Sequence, residues 1–492
     1  MQLLDWIVLS LYFLMLLFIG LRAYFWVKSS ADFYTAGGKL PWWLSGISHH
    51  VSGYSGAVFV AYAGIAYTHG FTLYIWWAFT VGVATMVAAF YIAPRWSRLR
   101  SYVGIESPTE YLILRYNLTT QQIIAWAGVI IKIFDTGGKL AAIAVLLNVF
   151  SGAPITFGIL LVGGVSLIYI TIGGLWADVW NDFGQFIVQL LAGITMFIMI
   201  ILKIDDGIGG IFSMWEQLPP ENSGFFNDPY TVGFALVMLV INFFSYSGGT
   251  WNLATRFISS SSGKTARKAA IMSSLLYFIW PLILLYPMFA APVFLKNLSD
   301  PTLSYGIMVT EFLPAGLVGL VLASLFANTL SMTASDSNTV SAVISRDILP
   351  VIFPGIKSFS IKKSLKLARI TTFCFTTITI ITALNSHHFG GVFGLIVSWF
   401  AALLGPISIP MILGLIPAFK KSNSTAAITS IVGGLTVFII LKFIEQKSLA
   451  LEIGAPILAS LVLFVVIGFF NKKKVPLEVN KLHLNLMKSP NV

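Results

Sequence analysis

Two short stretches of the sequence place polar side chains and glycines inside otherwise apolar segments. Residues 45–56 contain three glycines, four serines and the pair His49-His50, and residues 245–250 read Ser-Tyr-Ser-Gly-Gly-Thr. Such compositions disfavour a continuous helix, and a break within lipid must face protein or water. Half-helix ends at a break present carbonyl oxygens to cations and amide groups to anions. The pattern therefore predicts two breaks that bind an ion or a solute.

A third polar group lies on the predicted helix 314–344. Its members recur at i, i+3, i+7 and i+10, which places them on one helix face; they are Asn328, Ser331, Ser335 and Asn338. A polar stripe inside an apolar segment is expected to face a cavity or an ion path. The alternative is that its serines hydrogen-bond back to carbonyl groups of their own helix.

Five ionisable residues fall inside or near predicted membrane segments: Lys132, Asp135, Lys139, Asp182 and Asp336. Charged groups there are costly, so they are usually functional or paired. Asp135 and Lys139 are four residues apart and can neutralise each other. Asp182 has no basic residue nearby in sequence, which makes it the candidate for a cation-linked carboxylate. Asp336 is expected to face away from Ser331.

The composition excludes an ordinary soluble protein. Hydrophobic residues make up 57% of the 492 residues and charged residues 10%, whereas a soluble domain carries roughly 25% charged residues. At about 20 apolar residues per bilayer crossing, we predict an all-α polytopic membrane protein with about 13 transmembrane helices. The predicted spans are 4–27, 42–68, 70–94, 121–150, 154–173, 176–203, 231–250, 269–294, 314–344, 368–385, 391–418, 424–444 and 453–471.

The distribution of basic residues predicts the orientation in the membrane. Most of them, Arg256 included, lie in one set of alternate loops, and the other set holds Lys203, Lys296, Lys442 and Lys447. By the positive-inside rule, the N-terminus is outside and the C-terminus is cytoplasmic, with a solvated tail over 472–492. The net charge of +11 is therefore a sign of topology, and the predicted partners are the lipid bilayer and a small solute, not nucleic acid.

The two predicted breaks are five helices apart, so the segments that begin with them have opposite orientations. Interrupted helices at corresponding positions of two halves are typical of transporters built from inverted repeats. The predicted parts are 1–41, an extra helix and cytoplasmic loop; 42–203, the first repeat; 204–230, an extracellular loop; 231–418, the second repeat; and 419–492, two helices and a cytoplasmic tail. The alternative is two glycine-rich helices that merely pack closely.

Three motifs, in their order and spacing, resemble the sodium:solute symporter family over nearly the whole chain. They are the loop 31–42 (ADFYTAGGKLPW); residues 107–112 (SPTEYL) followed by Arg115-Tyr116; and residues 173–175 (GGL) followed by Trp180-Asn181-Asp182 and Gln185. The resemblance implies a LeuT-type 5+5 inverted repeat with extra N-terminal and C-terminal helices. It also implies sodium-driven uptake, so Na+ is the predicted cofactor.

The resemblance implies the ligands of the main sodium ion as well. They are the backbone oxygens of Val51, Tyr54 and Asn328 and the hydroxyl group of Ser331. Family members usually follow this serine with a second hydroxyl residue, whereas this chain has Met332. A thioether is a poor partner for a hard cation, so water or Thr333 must replace the missing oxygen. A second sodium site, present in some members, falls on Asp182 and Ser335.

The substrate is expected between the two broken helices. The candidate residues are Gly53, Ser55, Tyr74, Trp76, Asp135, Asn242 and Tyr246. Aromatic rings with a few amide and acid groups suit stacking on a sugar ring and hydrogen bonds to its hydroxyl groups. Asp135 and the lack of an unpaired arginine argue against an anionic solute.

The sequence thus predicts a sodium-coupled secondary active symporter that imports a small neutral polar solute, a sugar or sugar derivative, by alternating access. The alternative is a proton-coupled or other non-sodium transporter of the same fold for a different organic solute. Asp182, Asp336 or His49 would then bind the proton. A membrane-embedded sensor or enzyme is the third possibility, but the sequence contains no nucleophile–base set, metal-ligand cluster or P-loop, so no enzyme is predicted.

Overall fold

The computed structural model describes residues 1–56, 58–204, 207–386, 405–444 and 448–487. Helices dominate this part of the chain, and its only β-pairing is two isolated bridges. Nine helices among the described residues are long and apolar enough to cross a membrane, so the predicted all-α class is confirmed and the number 13 is not. The nine are Leu3–Tyr24, Tyr74–Tyr91, Ile155–Ile201, Val232–Gly249, Gly263–Phe294, Leu317–Ile352, Ile361–Leu384, Ser424–Lys442 and Leu449–Phe470.

The bent helix, Ile155–Ile201, accounts for two predicted spans. Its 47 residues would extend about 70 Å if straight, more than twice the roughly 30 Å of a bilayer core. Gly174 interrupts it with φ 52° and ψ −145°, a conformation that glycine adopts without steric cost. A Cβ atom at this position would also lie 2.5 Å from the carbonyl oxygen of Phe33. The bend falls at the boundary predicted between 154–173 and 176–203.

The first broken helix confirms the first predicted break. Its halves are Trp42–Val51 and Val58–His69, and residues 52–56 between them are not helical. Pro41 precedes the first half, where its fixed φ suits the start of a helix. Neither half alone is long enough to cross a bilayer, so this span is not among the nine.

The second broken helix consists of Val232–Phe244 and Asn252–Ile258. A wider turn, Ser245–Gly249, joins the halves, with Gly248 at φ 114° and Trp251 at φ 70°. The helical segment therefore continues beyond the predicted end at residue 250, and the break lies inside it instead of at its end. The second half carries the polar residues Asn252 and Arg256, and both side chains are bonded inside the protein.

A helix that we call the lysine helix, Leu118–Ser151, is long enough to cross but is not among the nine apolar helices. It carries Lys132, Asp135 and Lys139 on its buried side. The predicted span 391–418 lies partly outside the described residues, and its residues 405–413 are helical.

The centre of the molecule is the polar helix, Leu317–Val343, in which all residues of 321–343 are buried. It packs against the bent helix, the lysine helix and the N-terminal helix Leu3–Tyr24. Asp5 on that last helix accepts hydrogen bonds from the amide groups of Gly316 (2.6 Å) and Gly319 (2.9 Å). These amides begin the polar helix and have no partner within it, so the buried carboxylate fixes the start of the helix that carries the polar stripe.

The C-terminal tail departs from its predicted solvated state. Residues Leu477–Met487 form a helix whose buried side chains are Val479, Leu482, His483 and Leu486. Their spacing of three and four residues is that of one helix face. The face packs on the helices Ala93–Val103 and Leu112–Arg115, and Arg98 donates a hydrogen bond of 2.6 Å to the Leu486 carbonyl. The tail is therefore docked on the loops between the spans.

Candidate ion and solute site

The two broken helices contact each other at their breaks. The Tyr246 hydroxyl donates to the Gly53 carbonyl (2.7 Å), and the Asn252 amide donates to the Ser52 carbonyl (3.2 Å). Tyr277, on the neighbouring helix Gly263–Phe294, donates to the His50 carbonyl at 2.9 Å. The carbonyl groups of His50, Ser52 and Gly53 at the first break are thus satisfied by protein side chains, as a break inside a membrane requires.

A cluster of hydroxyl groups joins the first broken helix to the polar helix and the bent helix. The Ser52 hydroxyl oxygen lies 2.9 Å from that of Ser331 and 3.2 Å from that of Ser335. It also donates to the Asp182 carboxylate at 3.2 Å, and Ser48 donates to the same oxygen. The structure therefore brings Ser331, Ser335 and Asp182 together beside the first break.

The residues predicted for the main sodium ion fit a hard cation in part. Within the described part of the chain, no hydrogen bond reaches the carbonyl oxygens of Val51 and Tyr54. The amide group of Gly56 donates to the Thr329 hydroxyl at 3.0 Å, which ties the break to the polar helix one residue from Asn328. The first break therefore contacts the polar helix at Thr329 and, through Ser52, at Ser331, and hard cations prefer oxygen donors such as these carbonyl and hydroxyl groups.

The Thr333 hydroxyl, one candidate to replace the oxygen that Met332 lacks, is bonded within its own helix but keeps a lone pair for a cation. This hydroxyl donates to the Thr329 carbonyl of its own helix at 2.9 Å. Serine and threonine inside helices often make such a hydrogen bond back to the preceding turn. Among the residues of the polar stripe, Ser331 has the hydroxyl closest to that of Ser52 in the first break, at 2.9 Å.

Arg256 and Asp178 belong to this cluster and are not predicted from the sequence. Arg256 is fully buried, and its Nη2 lies 2.6 Å from Asp178 Oδ2 and 3.2 Å from Asp182 Oδ2. The same nitrogen donates to Ser52 (3.0 Å) and to Ser335, and Nε donates to Ser48 at 2.9 Å. The expectation that Arg256 is a loop charge is therefore wrong, and Asp182, which has no basic residue nearby in sequence, is paired with Arg256 in space.

One signal in the sequence points to this ion pair. Asp178 and Asp182 are four residues apart, so they share one face of the bent helix. Two carboxylates on one face of an apolar helix need a cation, and Arg256 supplies it from a position 74 residues after Asp182. Short-range spacing reveals the need for a partner but does not identify the partner.

A second group of buried charges lies between the lysine helix and the polar helix. Lys132 contacts Asp336 (2.7 Å) and Asp135 (3.2 Å), and Lys139 contacts Asp135 (2.6 Å) and Asp336 (3.1 Å). Two positive and two negative charges balance within this lysine cluster. Asp336 faces away from Ser331, as expected. Asp135 is bonded to two lysines, and the structure does not bring it to the broken helices with the other predicted substrate residues.

Of the remaining predicted substrate residues, Gly53, Ser55 and Tyr246 lie in the breaks, whereas Trp76 and Tyr74 contact residues outside them. Tyr246 contacts Gly53 directly, and Asn242, one turn earlier, donates to the Thr80 hydroxyl at 2.8 Å. The Trp76 ring stacks on that of Tyr230 with centroids 5.5 Å apart. The Tyr74 hydroxyl donates to the Phe278 carbonyl at 2.8 Å, and Ser55 is buried next to the first break.

His49 acts as a hydrogen-bonding partner of the breaks. Its Nε2 lies 3.2 Å from the Tyr246 carbonyl oxygen, and its Nδ1 lies 2.8 Å from the Ser273 hydroxyl. A nitrogen that faces a carbonyl must carry the proton, and Nδ1 then accepts from the hydroxyl. Both nitrogens of a neutral ring are thus satisfied. The His50 ring packs edge-on to Tyr277, with centroids 4.4 Å apart.

Comparison with known proteins agrees with this architecture. Residues 33–434 match the model of the sodium:solute symporter family. The sodium/sialic acid symporter SiaT of Proteus mirabilis (strain HI4320) is 24% identical over 82% of both chains. The sodium/glucose cotransporter of Vibrio parahaemolyticus is 25% identical over 89% of this chain and 85% of its own. A solved Na+-coupled sialic acid symporter, substrate-bound and outward-open, superposes with a TM-score of 0.83 at 19% identity, covering 96% of this chain and all of that one.

The family match covers most of the chain, and the structural likeness establishes the LeuT-type fold. The predicted class of transporter, with sodium as the coupling ion, is therefore confirmed, and an enzyme is not indicated. The chain belongs to the sodium:solute symporter family.

Proposed function

We propose that the chain is a sodium-coupled symporter that imports a small neutral solute rich in hydroxyl groups, a sugar or sugar derivative. The observation that carries this proposal is the direct contact of the two breaks through Tyr246 and Gly53, beside the hydroxyl cluster of Ser331. Helix breaks near the bilayer midplane are where transporters of this construction bind solute and ion.

The absence of a free cation at the breaks supports a neutral solute. Among the described residues of the ion and solute site, the buried basic group is Arg256, and Asp178 and Asp182 already neutralise it. Lys132 and Lys139 are likewise engaged in the lysine cluster. Tyrosine, tryptophan and amide groups then provide apolar faces and hydrogen bonds, which suit a ring that carries hydroxyl groups. The relative named for glucose is consistent with such a solute, whereas sialic acid, for which another relative is named, carries a carboxylate.

In the proposed mechanism, sodium binds where the first broken helix meets the polar helix. Carbonyl oxygens of Val51, Tyr54 and Asn328 and the hydroxyl of Ser331 would hold it. An ion that bridges two helices favours the conformation in which they are close, and solute binding is then stronger in its presence. The proposed repeats, 42–203 and 231–418, would move against each other around this point to open one side at a time.

Uptake into proteoliposomes tests the proposal. Labelled glucose, sialic acid, lactate and proline would each be offered under an inward sodium gradient, with choline replacing sodium in the control. We expect sodium-dependent uptake of a neutral sugar that exceeds uptake of the carboxylates. Sugar uptake that depends on neither a sodium nor a proton gradient would contradict symport altogether.

A further inference from the structure

We propose that Arg256 takes the place of a second sodium ion, so that the chain binds one sodium ion per transport cycle. This inference rests on the proposed function, because it concerns the stoichiometry of the same ion path. The two residues expected to bind a second sodium ion are Asp182 and Ser335. In the structure both of them contact Arg256 instead.

The guanidinium group of Arg256 already occupies the space between those ligands. Its Nη2 lies 3.2 Å from Asp182 Oδ2 and donates to the Ser335 hydroxyl. Ser335 in turn donates to Asp178 at 2.8 Å. A sodium ion held between Asp182 Oδ2 and the Ser335 hydroxyl would compete with this nitrogen for the same two oxygens. Ala334 offers no side-chain oxygen that could hold the ion to one side.

The arginine is held in this position from several directions. Its side chain is fully buried, and its own carbonyl group accepts hydrogen bonds from Ser45 (2.9 Å) and Ser260 (3.1 Å). Its guanidinium group also bonds Ser48 and Ser52 on the first broken helix. An arginine side chain does not lose its charge in a protein, and removal of one partner from a buried ion pair is strongly destabilising.

The balance of charge also limits the number of ions. With both carboxylates ionised, Asp178 and Asp182 carry two negative charges and Arg256 one positive charge, so this triad then lacks one positive charge. The main ion position adjoins it, because Ser52 bridges Ser331 (2.9 Å) and Asp182 (3.2 Å). One sodium ion there makes the group neutral, whereas a second would leave an excess positive charge in a region of low dielectric. The lysine cluster is neutral by itself.

Equilibrium binding of radioactive sodium to the purified full-length chain in lipid nanodiscs tests the inference. Sodium alone is the probe, so no solute has to be known. We expect saturation at one sodium ion per chain. Saturation at two ions per chain would overturn the inference.

Variants of Arg256 separate a tethered cation from a merely structural residue. Arg256→Ala should bind two sodium ions, because Asp182 and Ser335 are then free and one more negative charge needs balance. Arg256→Lys, the matched control, keeps the positive charge and should bind one. Arg256→Ala combined with Asp182→Asn should return to one. One bound sodium ion per chain in folded Arg256→Ala would overturn the inference. If that variant does not fold, the number of sodium ions bound by the wild-type chain decides between one ion and two.

A wild-type chain that binds no sodium would contradict the proposed sodium coupling instead. Arg256→Ala still decides the role of the arginine in that case. A gain of one bound ion would support the replacement of an ion by the guanidinium group, and no gain would overturn it.

Discussion

The hydroxyl group of Tyr246, in the break of the second broken helix, donates a 2.7 Å hydrogen bond to the carbonyl of Gly53, in the break of the first. Positions 193 residues apart in sequence are thus joined at the points where both helices lose their regular hydrogen bonds. If solute binds between the breaks, as proposed, this pair links solute binding to the relative position of the two helices.

Tyr246→Phe removes this donor and keeps the ring. We expect the KM for the solute to rise about fivefold, which corresponds to the roughly 1 kcal/mol of one hydrogen bond. Initial rates of sodium-dependent uptake over a range of solute concentrations measure it. The matched control is Tyr286→Phe, whose hydroxyl donates to the Gly210 carbonyl at 3.0 Å away from the breaks. An equal rise of KM in both variants would argue against a special role for Tyr246.

Ser331→Ala should raise the sodium concentration that gives half-maximal uptake several-fold, because it removes the side-chain oxygen proposed to hold the ion. Ser337→Ala is the control, since the Ser337 hydroxyl donates to the Thr333 carbonyl of the same helix at 2.9 Å. Sodium titration of uptake at fixed solute compares the two. If Ser337→Ala weakened the sodium response more than Ser331→Ala, the proposed ion position would be wrong.

Lys132→Met should lower the stability of the folded chain by about 3–5 kcal/mol, because it leaves part of a buried charge unpaired. Lys132 contacts both Asp336 and Asp135. Combining the change with Asp336→Asn removes the unpaired negative charge and should recover part of the loss, as a double-mutant cycle can measure. Melting temperatures of the purified variants provide the comparison, and purely additive losses would contradict a coupled cluster.

The docked C-terminal helix should loosen in acid. Burial, together with the positive charges of Arg115, Arg95 and Lys420, lowers the pKa of His483 from 6.5 to about 4. The docked state therefore favours the neutral ring, and docking is fully stable above pH 6.5 and weakens as the pH falls from about 6.5 towards about 4. Hydrogen exchange of 477–487 at pH 7 and pH 5 measures this change. His483→Leu, which cannot take up a proton, should remove most of the difference.

The proposed orientation can be tested with single cysteines. Cys374 is the only cysteine of the sequence, so Cys374→Ser provides a cysteine-free background. Lys296→Cys, in an exposed loop predicted to be outside, should react with a membrane-impermeant maleimide in intact cells. Lys473→Cys, exposed on the tail, should react only after permeabilisation. The opposite pattern would reverse the topology predicted from the basic loops.

The sequence predicts those features that depend on neighbouring residues. Both breaks follow from local glycine and serine content, and the stripe of Ser331 and Ser335 follows from helical spacing. The domain boundaries and the site as a whole stay predictions, although the contacts of Ser52 with Ser331, Ser335 and Asp182 bring their parts together. The Lys139–Asp135 pair, four residues apart, was visible for the same reason.

Contacts between distant segments explain what the sequence does not reveal. Asp178 and Arg256 are 78 residues apart, and Lys132 and Asp336 are 204 apart. The rule that places basic residues in cytoplasmic loops also misassigned Arg256, because a half-helix after a break looks like a loop in the sequence. The C-terminal helix escaped notice because its apolar face is short and follows a run of lysines.

The electrical neutrality of the lysine cluster has a consequence for energetics. Because its two lysines and two aspartates cancel, the cluster adds no net charge to the moving parts, and a neutral cargo adds none either. With one sodium ion per cycle, each turnover carries one elementary charge across the bilayer. A membrane voltage of 100 mV then contributes about 2.3 kcal/mol per turnover. This energy raises the highest attainable ratio of internal to external solute concentration about fiftyfold, even where the sodium concentrations on the two sides are equal.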